Sequence, residues 1–186
     1  GGSFGRIADT EYEIKEAQDV TNVHVRMAKA QADWTEALQE RMRTATPGDD
    51  SFAPTFMADM DKWFEQSAGS AQTRKGKQVY QTLAANMSAE FTARAVRMQS
   101  VLAGEAAKNS YADLVNAGSR TVRLDPSQYQ AVLASSMAAI DDGKGMFSKV
   151  SQPVRDEFKR QIQVALATAA CMGQVERDPN GALASF

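Results

Sequence analysis

Cysteine occurs once in this sequence, at Cys171, so the chain can form no internal disulfide. The lack of a disulfide framework fits a reducing compartment. Cys171 lies in an Ala-rich apolar run and reads as a small buried hydrophobe. Histidine also occurs once, at His24. Any Ser-His-Asp or Cys-His machinery would have to be built on that residue, and its neighbours have no metal-ligand spacing. No stretch approaches the ~20 unbroken apolar residues of a membrane span, and no secretory signal is visible. Neither sign of charge dominates: 21 Lys and Arg stand against 23 Asp and Glu, a formal net charge of −2. Proteins that grip duplex nucleic acid need a basic excess to displace counterions from phosphates, so direct nucleic-acid contact is not expected.

Other chemistries are missing by pattern. Gly143-Lys144-Gly145 lacks the Walker spacing and follows Asp141-Asp142, whose charge repels phosphate. Asp49-Asp50-Ser51 and Asp141-Asp142 lack the alternating ligands and terminal Glu of a calcium loop. Carboxylate-only hydrolysis needs a Glu/Asp pair. The two glutamates considered for it, Glu90 and Glu105, lie on an amphipathic helical pattern where a solvated polar face is the default. The expectation is a non-enzymatic chain with no catalytic residue, no metal, no cofactor and no small-molecule substrate.

What is present is helical. Hydrophobic residues make up 43% and charged residues 24%, globular proportions with enough length for a real core. No segment alternates apolar and polar residues as a strand would. The 5 prolines group at joints. Residues 7–43 predict one long helix, in which Val20, Val23, Met27, Ala30, Trp34 and Ala37 recur at spacings of three and four. This seam is the candidate interface. One reading packs it inside its own domain, and the other pairs it with a second copy as a coiled coil. At 1.5 Å per residue such a helix is ~50 Å long and would outreach a compact domain of this size.

Pro47-Gly48 breaks the pattern, and a helix over residues 51–67 follows, with Ser51 as cap, Pro54 in its first turn, and Phe56, Met60, Trp63 and Phe64 on its apolar face. A second long helix is predicted over residues 72–117. It is striped by Tyr80, Leu83, Met87, Phe91, Ala95, Met98 and Leu102, loosened at Gly104, and capped at Gly118-Ser119. Asp125-Pro126 starts the next helix, lined by Tyr129, Val132, Leu133, Met137 and Ile140 and ended by Asp141-Asp142-Gly143. Ser151 with Pro153 opens another, lined by Val154, Phe158, Ile162, Ala165, Leu166, Ala169 and Met172. Asp178-Pro179 begins a last one towards Ala182, Leu183 and Phe186. Val122-Arg123-Leu124-Asp125-Pro126-Ser127 is echoed about 53 residues later by Val175-Glu176-Arg177-Asp178-Pro179-Asn180, and reads as two helical hairpins in series. The nine methionines fall mostly on apolar faces, where they fill gaps or suit adaptable interfaces. The expected fold is all-α: long amphipathic helices followed by shorter helical hairpins in an elongated bundle. Residues 1–50 form the N-terminal helix, a candidate coiled coil, and residues 51–186 the bundle. Gly1-Gly2-Ser3, without Met, reads as a tag remnant, so the chain is expected to be a piece of a longer protein.

Four stretches carry a resemblance: Phe91-Thr92-Ala93-Arg94-Ala95-Val96, Ala103-Gly104-Glu105-Ala106-Ala107-Lys108, Leu124-Asp125-Pro126-Ser127-Gln128-Tyr129, and Val175-Glu176-Arg177-Asp178-Pro179 to Leu183. Over residues 58–186 the chain resembles the helical regions of tailed-phage internal virion and DNA-ejection proteins and of virion-associated murein hydrolases. The resemblance implies a structural or assembly segment of a virion protein, acting by protein–protein packing on itself or on other virion proteins and located in the virion. In such proteins the helical region flanks a separate peptidoglycan-degrading domain, and no active-site residue of that domain has a counterpart here. The alternatives are a helical interaction module of a bacterial effector or adaptor, which would be cytoplasmic, or the non-catalytic part of a peptidoglycan hydrolase. The 7–43 helix lies outside the resemblance.

Overall fold

A computed structural model of the chain describes residues 2–184. Gly1 of the expected tag stretch and Phe186 of the last expected helix lie outside the described residues. Six α-helices account for most of the chain: α1 Gly2–Thr44, α2 Phe52–Ser67, α3 Arg74–Leu124, α4 Tyr129–Asp141, α5 Gln152–Arg177 and α6 Pro179–Ala184. Short 3-10 turns occupy Ala68–Ser70, Pro126–Gln128 and Met146–Lys149, and no strand occurs among the described residues. The all-α expectation holds. The chain divides into two compact units, Gly1–Gln99 and Ser100–Phe186. The expected division after residue 50 falls inside the first unit, and α3 contributes to both.

The first unit is built by α1, α2 and the first half of α3. Its core is the meeting of three apolar stripes: Val23, Met27, Ala30 and Leu38 from α1, Phe52, Ala53, Phe56 and Met60 from α2, and Tyr80, Met87, Phe91 and Ala95 from α3. Aromatic rings knit them together. Trp34 stands edge-on to Phe56 at 5.4 Å and to Trp63 at 6.4 Å, and Phe56 lies 6.1 Å from Phe91. Tyr80 brings a polar tip into this core and satisfies it by donating to the Phe64 carbonyl at 2.9 Å. Ala53 N–H, one of the unpaired donors of the first turn of α2, donates to Gln99 Oε1 at 2.8 Å.

The second unit packs the rest of α3 with α4 and α5 around Ala107, Val122, Ile140, Phe147, Phe158, Ile162, Leu166 and Ala169. Tyr111 stacks on Phe158 at 4.6 Å, and Phe147 meets the same ring edge-on at 5.7 Å.

Several local expectations need correction. The α3 helix does not stop at Gly118-Ser119 but runs to Leu124. Gly118 serves close approach instead, because a Cβ there would meet Leu166 Cδ2 at 2.8 Å and Val132 Cγ1 at 3.1 Å. The helix runs on through Gly104, as the single 72–117 helix required. Ser51 does not cap α2: its hydroxyl and its N–H both go to Asp49 Oδ1, at 2.7 and 2.9 Å. Ser151 stands at the start of α5 without a side-chain capping bond. The two Asp-Pro starts behave as expected. Asp125 Oδ1 accepts from Ser127 N–H at 3.1 Å, and Asp178 Oδ1 from Gly181 N–H at 2.9 Å. Met172 and Val154, expected on the inner face of α5, are exposed, and Gly173 takes the inner position instead.

Candidate functional site

The seam of α1 is the first surface to place. Val23, Met27 and Ala30 are 1%, 4% and 5% exposed, while Val20, Trp34 and Ala37 are half-buried. All six lie in the first unit. Trp34 reaches the rings of α2, and Met27 lines a cleft of about 260 Å³ together with Leu83 and Met87 of α3. The seam then continues through Leu38, fully buried, in place of the strict heptad position. A straight helix has 3.6 residues per turn, so its inner face drifts away from a 3.5-residue repeat over a few turns. Arg41 closes this end of α1 by ion-pairing with Asp59 of α2 and lying 5.4 Å from the centre of the Phe56 ring.

The other end of α1 is different. Residues 2–15 are all exposed, including Phe4, Ile7, Tyr12 and Ile14. Where packing begins, Asp19 reaches the start of α3. Its Oδ2 accepts from Thr73 N–H at 2.8 Å, from Thr73 Oγ1 at 2.7 Å and from Gln72 N–H at 3.1 Å. Thr73 Oγ1 in turn accepts from Gly76 N–H at 3.0 Å, so a carboxylate on one helix completes the N-cap of another. The Thr73 backbone bond, followed by its hydroxyl, holds the Asp19 carboxyl below the usual value. Nothing in the spacing of Asp19 on α1 announces this, because its partners lie more than fifty residues away.

Of the titratable candidates, His24 and Glu90 line the same cleft. His24 is exposed on the cleft that Met27 lines, beside Gln31, Asn86 and Glu90. Glu90 pairs with Arg94 at 3.6 Å, one helical turn along α3. Glu105 is exposed in the second unit. The Gly143-Lys144-Gly145 stretch is a turn, in which Asp142 Oδ1 accepts from Lys144 N–H at 3.0 Å. No group of three or more His, Cys, Asp or Glu residues is placed to hold a metal ion among the described residues. No helix among them is long and apolar enough to cross a membrane. Cys171 is exposed, which corrects the expectation of a buried hydrophobe. It lies on the side of α5 opposite the Ile162–Leu166 stripe, so its Ala-rich context did not report which face it occupies.

In the second unit the echoed segments lie side by side. Arg123 forms an ion pair with Glu176, and Arg177 donates to the Leu124 carbonyl, so residues 53 apart in sequence meet in pairs. The hydrogen bond between Arg123 and Glu176 lowers the carboxyl and raises the guanidinium. Gly173 allows this contact, because a Cβ there would collide with the Arg123 backbone. Beside the paired helix ends lies a groove of about 560 Å³, floored by Ala165, Ala169 and Met172 of α5 and edged by the charged Arg120, Arg123 and Glu176. It opens onto the outer face of α5, where Val164, Met172 and Val175 are 63%, 51% and 44% exposed. The signal for this surface was present in the sequence: residues 161–175 contain no Asp, Glu, Lys, Arg or His. The run is uncharged, though Gln163 and Gln174 keep part of its outer surface polar.

No family model, no curated protein and no solved structure matches this chain.

Proposed function

We propose that this chain is a non-catalytic structural segment that acts in assembly by helix–helix packing, as part of an internal or DNA-ejection protein of a phage virion. The observation that carries the assembly reading is the outer face of α5, where Val164, Met172 and Val175 stand exposed in a run without charged residues, a surface that favours burial against another protein. His24 and Glu90 share one cleft, but Glu90 is paired with Arg94 and no third His, Cys, Asp or Glu lines that cleft, which supports a role without chemistry. The virion assignment rests on the sequence resemblance over residues 58–186.

The test is quantitative mass spectrometry of purified particles of the phage whose genome carries this sequence. The chain is expected in the particle at a fixed ratio to the portal and tail proteins. Its absence from particles, with accumulation in host cytosol, would favour an interaction module of an effector or adaptor. Clearing of a purified murein suspension by the chain alone would overturn the non-catalytic reading.

A further inference from the structure

The cleft between α1 and α3 in the first unit gathers donor atoms that the assembly reading does not use. It measures about 260 Å³ and is lined by His24 and Met27 of α1 and by Met87 and Glu90 of α3. His24 is the chain's only histidine. Of the nine methionines, three are buried, Met27, Met60 and Met87, and two of those three meet at this one cleft. His24 and Met27 are three residues apart on their helix, so both project from one face a turn apart. A methionine side chain turns about three bonds, which lets two sulfurs in so small a space converge on one point with the imidazole at its mouth. The space is below the ~300 Å³ at which drug-sized ligand sites begin, and suits a single ion.

The donor set selects among ions. Zinc and iron sites are built from thiolates, several imidazoles or carboxylates. Only one carboxylate lines this cleft, and Glu90 already faces Arg94 at 3.6 Å. The remaining walls are apolar, from Ala28 and Leu83, or neutral amides, from Gln31 and Asn86. Thioether sulfur is a soft donor that favours copper(I) over hard divalent ions, and imidazole suits copper as well. A single positive charge also costs less to bring into a cleft of this kind than a double one.

We infer that this cleft binds one soft monovalent metal ion, copper(I), through an imidazole nitrogen of His24 and the sulfurs of Met27 and Met87. The site goes beyond the assembly reading and does not rest on it. It involves binding without turnover, so the non-catalytic reading stands beside it.

The experiment follows the nine methionine methyl groups by carbon-13 NMR while silver(I), a redox-inert analogue of copper(I), is added to the Cys171→Ser chain. That substitution removes an exposed thiol that competes for the ion. The Met27 and Met87 signals are expected to shift together and to stop at one equivalent, while the exposed Met146 and Met172 stay in place. Copper(I) kept reduced by ascorbate and competed against bicinchoninate is expected to saturate at the same ratio, and zinc(II) to move neither signal. Met27→Leu and Met87→Leu conserve volume and are expected to keep the fold. Each of them, and His24→Ala, is expected to weaken copper(I) roughly tenfold or more. His24 is exposed, so His24→Ala tests the site even where a core variant melts early. Silver(I) shifts spread over the exposed methionines, no saturation at one equivalent, or no shift at all overturns the inference. So does a copper(I) affinity unchanged in His24→Ala, or an equal response to zinc(II).

Discussion

Asp19 has two structural roles: it lies on α1 at the point where the helix begins to pack, and it completes the N-terminus of α3 through Gln72 and Thr73. Its carboxyl is held below the ordinary value by those donors. A group with a lowered folded-state value contributes stability above its unfolded value, about 3.9 for Asp, and loses it as pH falls through the folded value. Asp19→Asn is therefore expected to unfold in urea more easily than the parent at pH 7, with the difference shrinking below about pH 4. A difference of equal size at pH 3 and pH 7 would show that shape, not charge, holds the start of α3. Gly118 carries a second residue-scale lesson. Followed by Ser119 after a long stripe, it satisfies every sequence signal for a helix end, yet it sits mid-helix because Leu166 and Val132 press against it. Gly118→Val is expected to destabilise the second unit by about 1–3 kcal/mol, the usual cost of overpacking, as read by thermal melting. A variant as stable as the parent would mean that Leu166 moves aside freely.

The helices themselves were legible because their signals are local and periodic. Asp-Pro starts, the Pro47-Gly48 break and the Tyr80-to-Leu102 stripe each depend on neighbours within a turn or two. What was not legible is which apolar face finds a partner. On α1 the seam through Val23, Met27 and Ala30 is covered by α2 and α3. The Phe4, Ile7 and Ile14 positions have comparable side chains and remain exposed. On α5, Phe158, Ile162 and Leu166 point inward, whereas Val164 and Met172 do not. Hydrophobicity alone does not choose between two faces of a helix that both carry apolar side chains. The candidate site was legible only in part for that reason: the α1 seam carries the stronger periodicity, but the exposed apolar surface lies on α5, marked by absence of charge. The first 14 positions of α1 show what lack of cover implies. A lone helical stretch of that length is marginal in water, so amide exchange across residues 2–15 is expected to be far faster than around Phe91 or Ile162. Protection there equal to that of the core would indicate that the exposed residues are covered in solution.

At the scale of the molecule, the two units have separate sets of buried aromatics, and this gives each its own reporter. Phe56 and Phe91 anchor the first, with both tryptophans, Trp34 and Trp63, among them. Phe147 and Phe158 anchor the second, which contains no tryptophan. Tryptophan fluorescence therefore reads the first unit alone, while far-ultraviolet circular dichroism reads helix in both. Phe91→Ala and Phe158→Ala each remove a buried ring, at about 3–5 kcal/mol. If each unit stands on its own core, Phe91→Ala lowers the urea midpoint seen by fluorescence. Phe158→Ala instead splits the transition, with helix lost from the second unit while the tryptophans remain in native surroundings. The shared helix α3 argues in the other direction, because melting it from Ser100 onward removes the turns that follow Gln99, whose side chain holds the start of α2. Against that, helical turns already nucleated are cheap to keep or lose one residue at a time, whereas an aromatic core unfolds as a block. The expectation is therefore two resolved transitions in Phe158→Ala, the first visible by circular dichroism only. Coincident fluorescence and circular dichroism curves in that variant would show that α3 couples the two cores into one cooperative unit.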